Sequence, residues 1–105
     1  MVVDDNRLSR MIVGRMLSRA GYDVALAEDG SQAIDRLMDS HIDLVLMDLR
    51  MPCLHGDQVI RWYRSRVPSR KIPMVVMTVD ESDEARMMTF QAGADGYLVK
   101  PIRLR

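Results

Sequence analysis

A single cysteine, Cys53, leaves the chain with no internal disulfide to form, so a reducing compartment is the expected setting. Large aromatics are scarce, with one Phe and one Trp against ten Met. Flexible Met side chains fill irregular gaps, so these are read as packing material. Net charge is missing too: 15 Lys+Arg balance 15 Asp+Glu, which removes any global electrostatic case for nucleic-acid or membrane binding. No apolar run approaches the length of a membrane span, and the opening Met1-Val2-Val3-Asp4-Asp5 does not read as a signal peptide. A Gly-rich phosphate loop with its lysine is also lacking, which argues against nucleotide hydrolysis. What remains is a 105-residue chain, 48% hydrophobic and 29% charged, a globular balance at the length of one domain. A chain of this size buries roughly 60–70% of its unfolded surface, enough for one core without metal or disulfide support.

Apolar character alternates between two rhythms. Val2-Val3, Val24-Ala25-Leu26-Ala27, Leu44-Val45-Leu46-Met47, Met74-Val75-Val76-Met77 and Tyr97-Leu98-Val99 are short runs suited to strands buried on both faces. Between them lie helical spacings: Leu8, Ile12, Met16 and Ala20 with Val13 and Leu17; Ala33, Ile34, Leu37 and Met38; Val59, Ile60 and Tyr63; and Ala85, Met88 and Ala92. The last segment is entered through Asp80-Glu81-Ser82-Asp83, acids that favour a helix N-terminus. The pattern β-α-β-α-β-α-β-α-β with short right-handed connections predicts an α/β fold, one parallel sheet wound on both faces. Such folds work beyond the carboxyl ends of their strands.

Those ends gather Asp4 and Asp5, Asp48, Thr78, and Lys100-Pro101. Three converging carboxylates repel one another unless a cation neutralises them, and an all-oxygen set with open positions suits Mg2+. A Lys ammonium and a Thr hydroxyl on the opposite rim are what a bound phosphoryl group needs. The simpler readings are an Asp N-cap at Asp4 or Asp5, a strand-end Asp48, a strand-end Thr78 and a solvated Lys100-Pro101 turn. Each is reasonable alone, and their joint register is what favours a magnesium-assisted phosphoryl site.

Val2-Val3-Asp4-Asp5-Asn6, Leu46-Met47-Asp48-Leu49-Arg50-Met51-Pro52, Val76-Met77-Thr78 and Val99-Lys100-Pro101 together resemble the receiver domain of two-component response regulators. Asp48 precedes Thr78 by 30 residues and Lys100 by 52, as in single-domain chemotaxis regulators, and the resemblance spans essentially the whole chain. It implies a flavodoxin-like five-stranded sheet in the order 2-1-3-4-5. It also implies that Asp48 is the phosphoacceptor, fed by a phosphohistidine on a sensor histidine kinase or histidine phosphotransfer domain. Asp5, Asp48 and the backbone carbonyl of Arg50 would hold Mg2+, with Asp4 acting directly or through water. Lys100 would neutralise the phosphoryl oxygens and hold Asp48 at rest, Thr78 would bond the phosphoryl group, and Tyr97 would swing inward. An output or effector domain, in the same or another chain, would read the change in a two-component phosphorelay. The isolated domain would be no enzyme beyond its own phosphotransfer and dephosphorylation. The alternative is a phosphate-independent pseudo-receiver that acts as an interaction domain. A magnesium-dependent hydrolase would need an acid two residues past the nucleophile, where Arg50 stands.

Several positions depart from the family pattern. Arg50 and Asp80, each two residues past a site residue, are expected to pair across the site mouth and slow loss of the phosphoryl group. Val79 should restrict small donors, His55 replaces an Asp, and Pro101 suits a cis bond. Arg61, Arg64 and Arg66 around Trp62 and Tyr63 read as a solvated helix face and not a nucleic-acid patch. Cys53 and His55 are too few to hold a metal. The opening, with Ser9-Arg10, looks like receivers of hybrid histidine kinases, so the location is expected to be cytoplasmic, whether free or as part of a membrane-anchored kinase. The chain is expected to be a receiver over 1–105 that is truncated at both ends. A final helix should follow Lys100-Pro101 and is expected to be missing from this chain, which stops at Ile102-Arg103-Leu104-Arg105, so that apolar surface on the first and fifth strands would lie open or be filled by a partner, a homodimer included.

Overall fold

The computed structural model describes residues 1–39 and 41–102. Nine elements alternate: β1 (Val2–Val3), α1 (Arg7–Arg19), β2 (Leu26–Ala27), α2 (Gly30–Asp39), β3 (Val45–Asp48), α3 (Gly56–Arg66), β4 (Met74–Thr78), α4 (Asp83–Ala92) and β5 (Gly96–Val99). All strand pairs are parallel, in the order β2-β1-β3-β4-β5, as expected of the flavodoxin-like class.

Strand alternation divides the core into two layers. Val3, Val45, Met47, Met74 and Val76 face one side with Ala33, Leu37, Val59, Ile60, Tyr63, Ala85 and Ala92 from α2, α3 and α4. Val2, Leu46 and Met77 face the other with Val13 of α1. Full burial of such side chains contributes roughly 1.5–3 kcal/mol each, so the first, larger layer carries most of the hydrophobic stabilisation.

Several expectations need correction. The strands are buried on both faces only at the centre: β2 and β5 are edges, β2 is confined to Leu26–Ala27, and Leu98 is 41% exposed. The stripe Leu8, Ile12, Met16 does not face the sheet, since Leu8 is 67% and Ile12 49% exposed. The sheet takes Val13, Gly14 and Leu17 instead, about a third of a turn away. Gly14 lets α1 approach, because a Cβ there would stand 3.1 Å from Leu26. Val2 and Val3 are fully covered, so the expected open surface falls on α1 and β5 and not on β1. Met47, Met74 and Met77 are core filler as read, but Met11, Met38 and Met87 are exposed. The Lys100-Pro101 bond is cis, as expected. The chain after Ile102, on which the expected loss of the final helix turned, lies outside the described residues.

Local signals explain the helix entries. Asn6 caps α1 by accepting from Ser9 N at 2.9 Å, and Ser82 caps α4 by accepting from Ala85 N at 3.1 Å. Hence neither Asp4 nor Asp5 is the cap. Gly56 starts α3 so close to β3 that a Cβ would lie 2.4 Å from the Asp48 carbonyl oxygen, a fit that only glycine allows.

Candidate functional site

Parallel register sets Val3 beside Met47, Met47 beside Val76, and Thr78 beside Val99. The residues that end or follow these strands therefore meet at one edge. Carboxylate oxygens of Asp4, Asp5 and Asp48 lie within 4.8 Å of one another. Asp4 is fully buried, Asp48 and Thr78 are buried, and Asp5 is exposed. An all-carboxylate oxygen cluster with one exposed member matches the donor chemistry of a hard divalent cation.

The two buried acids differ in how they are satisfied. Asp4 Oδ1 accepts from Asn6 N at 2.9 Å, and its Oδ2 accepts from Ser9 Oγ at 2.7 Å and Lys100 Nζ at 2.8 Å. Burial alone would raise its pKa, but Lys100, Ser9 and the Asn6 amide outweigh that and hold it below the usual carboxylate range. Asp48 meets the same Lys100 Nζ at a longer 3.4 Å. Burial first, then repulsion from Asp4, pushes its pKa up to about 6 against the pull of Lys100. Lys100 thus contacts both buried acids and lies nearer to Asp4 than to Asp48. Its own pKa is raised, since the two carboxylates outweigh its burial.

These shifts predict a pH dependence. With a folded pKa of about 6 against 3.8 for an ordinary Asp, folded Asp48 keeps a proton that the unfolded chain has lost between those values. In divalent-free buffer its contribution should therefore decline by on the order of 2–3 kcal/mol as pH rises from about 4 to about 6, then level off. Asp4 works in the opposite sense, adding stability above the ordinary carboxylate pKa that is lost as pH falls below it. Urea melts with EDTA across pH 4 to 8 measure the first effect, and a stability that climbs through that window would contradict it.

Thr78, Arg50 and Tyr97 are joined through one residue, Asp80. Its backbone N–H donates to Thr78 Oγ1 at 3.1 Å, and its carboxylate accepts from Arg50 Nη2 at 3.1 Å and from Ser82 N at 2.9 Å. Its backbone carbonyl accepts from the Tyr97 hydroxyl, and Arg86 lies 5.1 Å from the Tyr97 ring centre. The Arg50–Asp80 pair expected from the sequence is thus present, and Ser82 and Arg50 hold the Asp80 carboxyl below its ordinary pKa. Tyr97 reaches the loop after Thr78 and not the acids. Val79 is 74% exposed, so it is not packed over Asp48.

Sequence reasoning missed three supporting residues. Ser9 bonds Asp4 directly, and Arg10 Nη1 donates to the Asp4 carbonyl at 2.7 Å. They lie five and six residues after Asp4, at the start of α1, so polar side chains in the helix turn that follows the acid pair were the available signal. Gly56, pressed on the Asp48 carbonyl, had no signal beyond its place at a junction. Cys53 is exposed with φ 68°, and His55 precedes α3, its N–H donating to Gln58 Oε1 at 2.8 Å. Trp62 is half-buried and Tyr63 fully buried, so the α3 aromatics belong largely to packing.

A family model described as the response regulator receiver domain matches residues 1–105. The chain is 41% identical over 104 residues to the response regulator MprA of Mycobacterium sp. strain KMS, covering 99% of this chain and 44% of that protein. It is 40% identical over 104 residues to MprA of Mycobacterium avium strain 104, covering 99% and 45%. The chain thus spans less than half the length of these relatives. Among solved structures, the chemotaxis protein CheY4 of Vibrio cholerae superposes with a TM-score of 0.91 at 30% identity, covering 97% of this chain and 85% of the other. Among the described residues, no helix is long and apolar enough to cross a membrane.

Proposed function

The chain belongs to the response regulator receiver domain family of two-component signalling, and from that premise we propose that Asp48 accepts a phosphoryl group from a phosphohistidine partner. The observation that carries this reading is the contrast between the two buried acids. Asp4 is held by three donors, whereas among the described residues the one donor near the Asp48 carboxylate is Lys100, at 3.4 Å, so Asp48 keeps lone pairs open for attack. An Asp48 oxygen forms a bond to phosphorus as the phosphorus–nitrogen bond breaks, and the electron pair leaves with the imidazole nitrogen. The product is an acyl phosphate. Asp5, Asp48 and the Arg50 carbonyl would hold Mg2+, with Asp4 direct or through water, and the ion supplies charge neutralisation for the phosphoryl oxygens.

The remaining residues position and read the group. Lys100, already shared by Asp4 and Asp48, shifts its ammonium toward a phosphoryl oxygen. Thr78 accepts from the Asp80 N–H, which leaves its own hydroxyl proton free to donate to the phosphoryl group. That movement draws on Asp80 and hence on Tyr97, biasing a surface that an output or effector domain reads. The donor is a sensor histidine kinase or a histidine phosphotransfer domain. Incubation with a phosphorylated histidine donor should give a hydroxylamine-labile label that requires Mg2+. A chain that stays unlabelled with several such donors would overturn the proposal in favour of a phosphate-independent interaction domain.

The Arg50–Asp80 pair spans two loops at the site mouth, with both side chains partly exposed. It should hinder the water that hydrolyses the acyl phosphate. Arg50→Asn is therefore expected to shorten the phosphoryl lifetime roughly three- to tenfold, read from decay of the purified phosphoprotein. An unchanged lifetime would remove that role. Val79 is exposed and not packed over Asp48, so Val79→Ala is expected to leave the initial rate of labelling by acetyl phosphate unchanged, and a several-fold faster rate would mean that Val79 restricts small donors after all.

A further inference from the structure

Arg10 lies beside the acid pair, yet among the described residues it hydrogen-bonds no carboxylate. Its side chain, in the first turns of α1, is 11% exposed, and the one carboxylate in ion-pair range, Glu28, is 3.9 Å away. Its Nη1 donates instead to the main-chain carbonyl of Asp4 at 2.7 Å. Burying a guanidinium is costly, and a single ion pair at that distance offsets little of the cost. A hydrogen bond kept under those terms marks a carbonyl whose position matters.

That carbonyl belongs to the peptide joining Asp4 to Asp5. On the Asp4 side the chain is fixed: the Asp4 N–H donates to the Ala27 carbonyl at 3.1 Å, and the Asp4 carboxylate accepts from Asn6 N, Ser9 Oγ and Lys100 Nζ. On the other side Asp5 is exposed, and no hydrogen bond reaches its carboxylate among the described residues. With a planar peptide pinned at one end, the tilt of the plane decides where the next Cα goes. Arg10 holds that tilt, and with it the Asp5 carboxylate within 4.8 Å of those of Asp4 and Asp48.

Taking the proposed Mg2+ site as premise, we propose that Arg10 is a positioning residue for the divalent cation: through the Asp4 carbonyl it aims Asp5, and so sets cation affinity without contacting the ion. Two simpler roles compete. As a through-space positive charge, Arg10 would offset the acids, and its loss would tighten cation binding. Charge alone does not explain a donor aimed at a main-chain oxygen while Asp5 lines the same open cavity, of about 690 Å³. As a strut between α1 and the end of β1, Arg10 would add stability and leave the affinity of the folded chain alone. An anionic ligand fits that cavity poorly, since Asp5, Glu28 and Asp29 outnumber Arg7 and Arg10 in its wall.

Mg2+ binding to the full chain at constant ionic strength, followed by amide NMR at Asp5, Asn6 and Arg50, reads the dissociation constant, and melting in EDTA reads stability. Arg10→Met should weaken Mg2+ binding about tenfold, the order expected when a group that orients a metal ligand is lost. Arg10→Lys retains one donor and should lose only about threefold. Val13→Ala, a core truncation on the same helix, should lower the melting temperature and leave the dissociation constant unchanged. Tighter binding by Arg10→Met would assign Arg10 to charge compensation, and unchanged binding with a lower melting temperature would assign it to a strut. Either result overturns the positioning role, as does a Val13→Ala chain that loses affinity to the same extent. An unmodified chain without saturable Mg2+ shifts would overturn the cation site itself, and the role of Arg10 with it.

Discussion

Asp48→Asn should abolish phosphoryl transfer from a phosphohistidine donor and, in the same molecule, make the fold more stable. The first effect is chemical. An amide offers no anionic oxygen to attack phosphorus, so initial labelling should fall by at least about a thousandfold. The second follows from the crowding of three carboxylates within 4.8 Å and from the raised pKa of Asp48. An isosteric neutral side chain removes the repulsion on Asp4, while Lys100 keeps its shorter 2.8 Å contact there. At neutral pH without divalent cation the gain should be on the order of 2 kcal/mol, several degrees in melting temperature for a domain of this size. Calorimetry in EDTA reads it, and the decline in stability between about pH 4 and 6 should vanish in this variant. A lower melting temperature would mean that Asp48 is a stabilising partner and not a charge held at a cost.

Lys100→Met should have the opposite sign. Asp4 is fully buried, and the Lys100 side chain, 16% exposed, is the only cation in ion-pair contact with both it and Asp48 among the described residues. Removing one partner of a buried ion pair leaves an uncompensated charge, typically a loss of about 3–5 kcal/mol. Ser9 Oγ and the Asn6 amide still donate to Asp4, so about 2–4 kcal/mol is expected here. Millimolar Mg2+ should restore part of it, because a second cation then faces the same oxygens. The rescue separates charge from packing, since Met retains most of the aliphatic volume. Equal melting of Lys100→Met and the unmodified chain in EDTA would show that the acids do not depend on that ammonium.

What the sequence disclosed depended on where two-fold and 3.6-fold periods were strong. Val2-Val3, Val45–Asp48 and Met74–Thr78 are central, so sustained apolar runs marked them and placed Asp4, Asp48 and Thr78 at one edge. The edge strands were less legible, because only one side of β2 and of β5 is hydrogen-bonded and their burial is incomplete. For α1 the apolar arc is wide enough that periodicity established the helix but not which side meets the sheet. Burial of Val13 and Gly14 in place of Leu8 and Ile12 depends on tertiary packing. The Arg50–Asp80 pair was readable from charge and position. The rest of the Asp80 contacts were not, because they use main-chain groups that every residue possesses.

That division within Asp80 has a consequence for how such a signal can be tuned. Its side chain holds Arg50 while its peptide groups hold Thr78 and Tyr97. Under the proposed function, the first set of contacts would bear on how long an acyl phosphate survives and the second on whether the message travels, so timing and transmission would meet at one position without sharing atoms. Substitution at position 80 should then reset the clock and leave the lever intact.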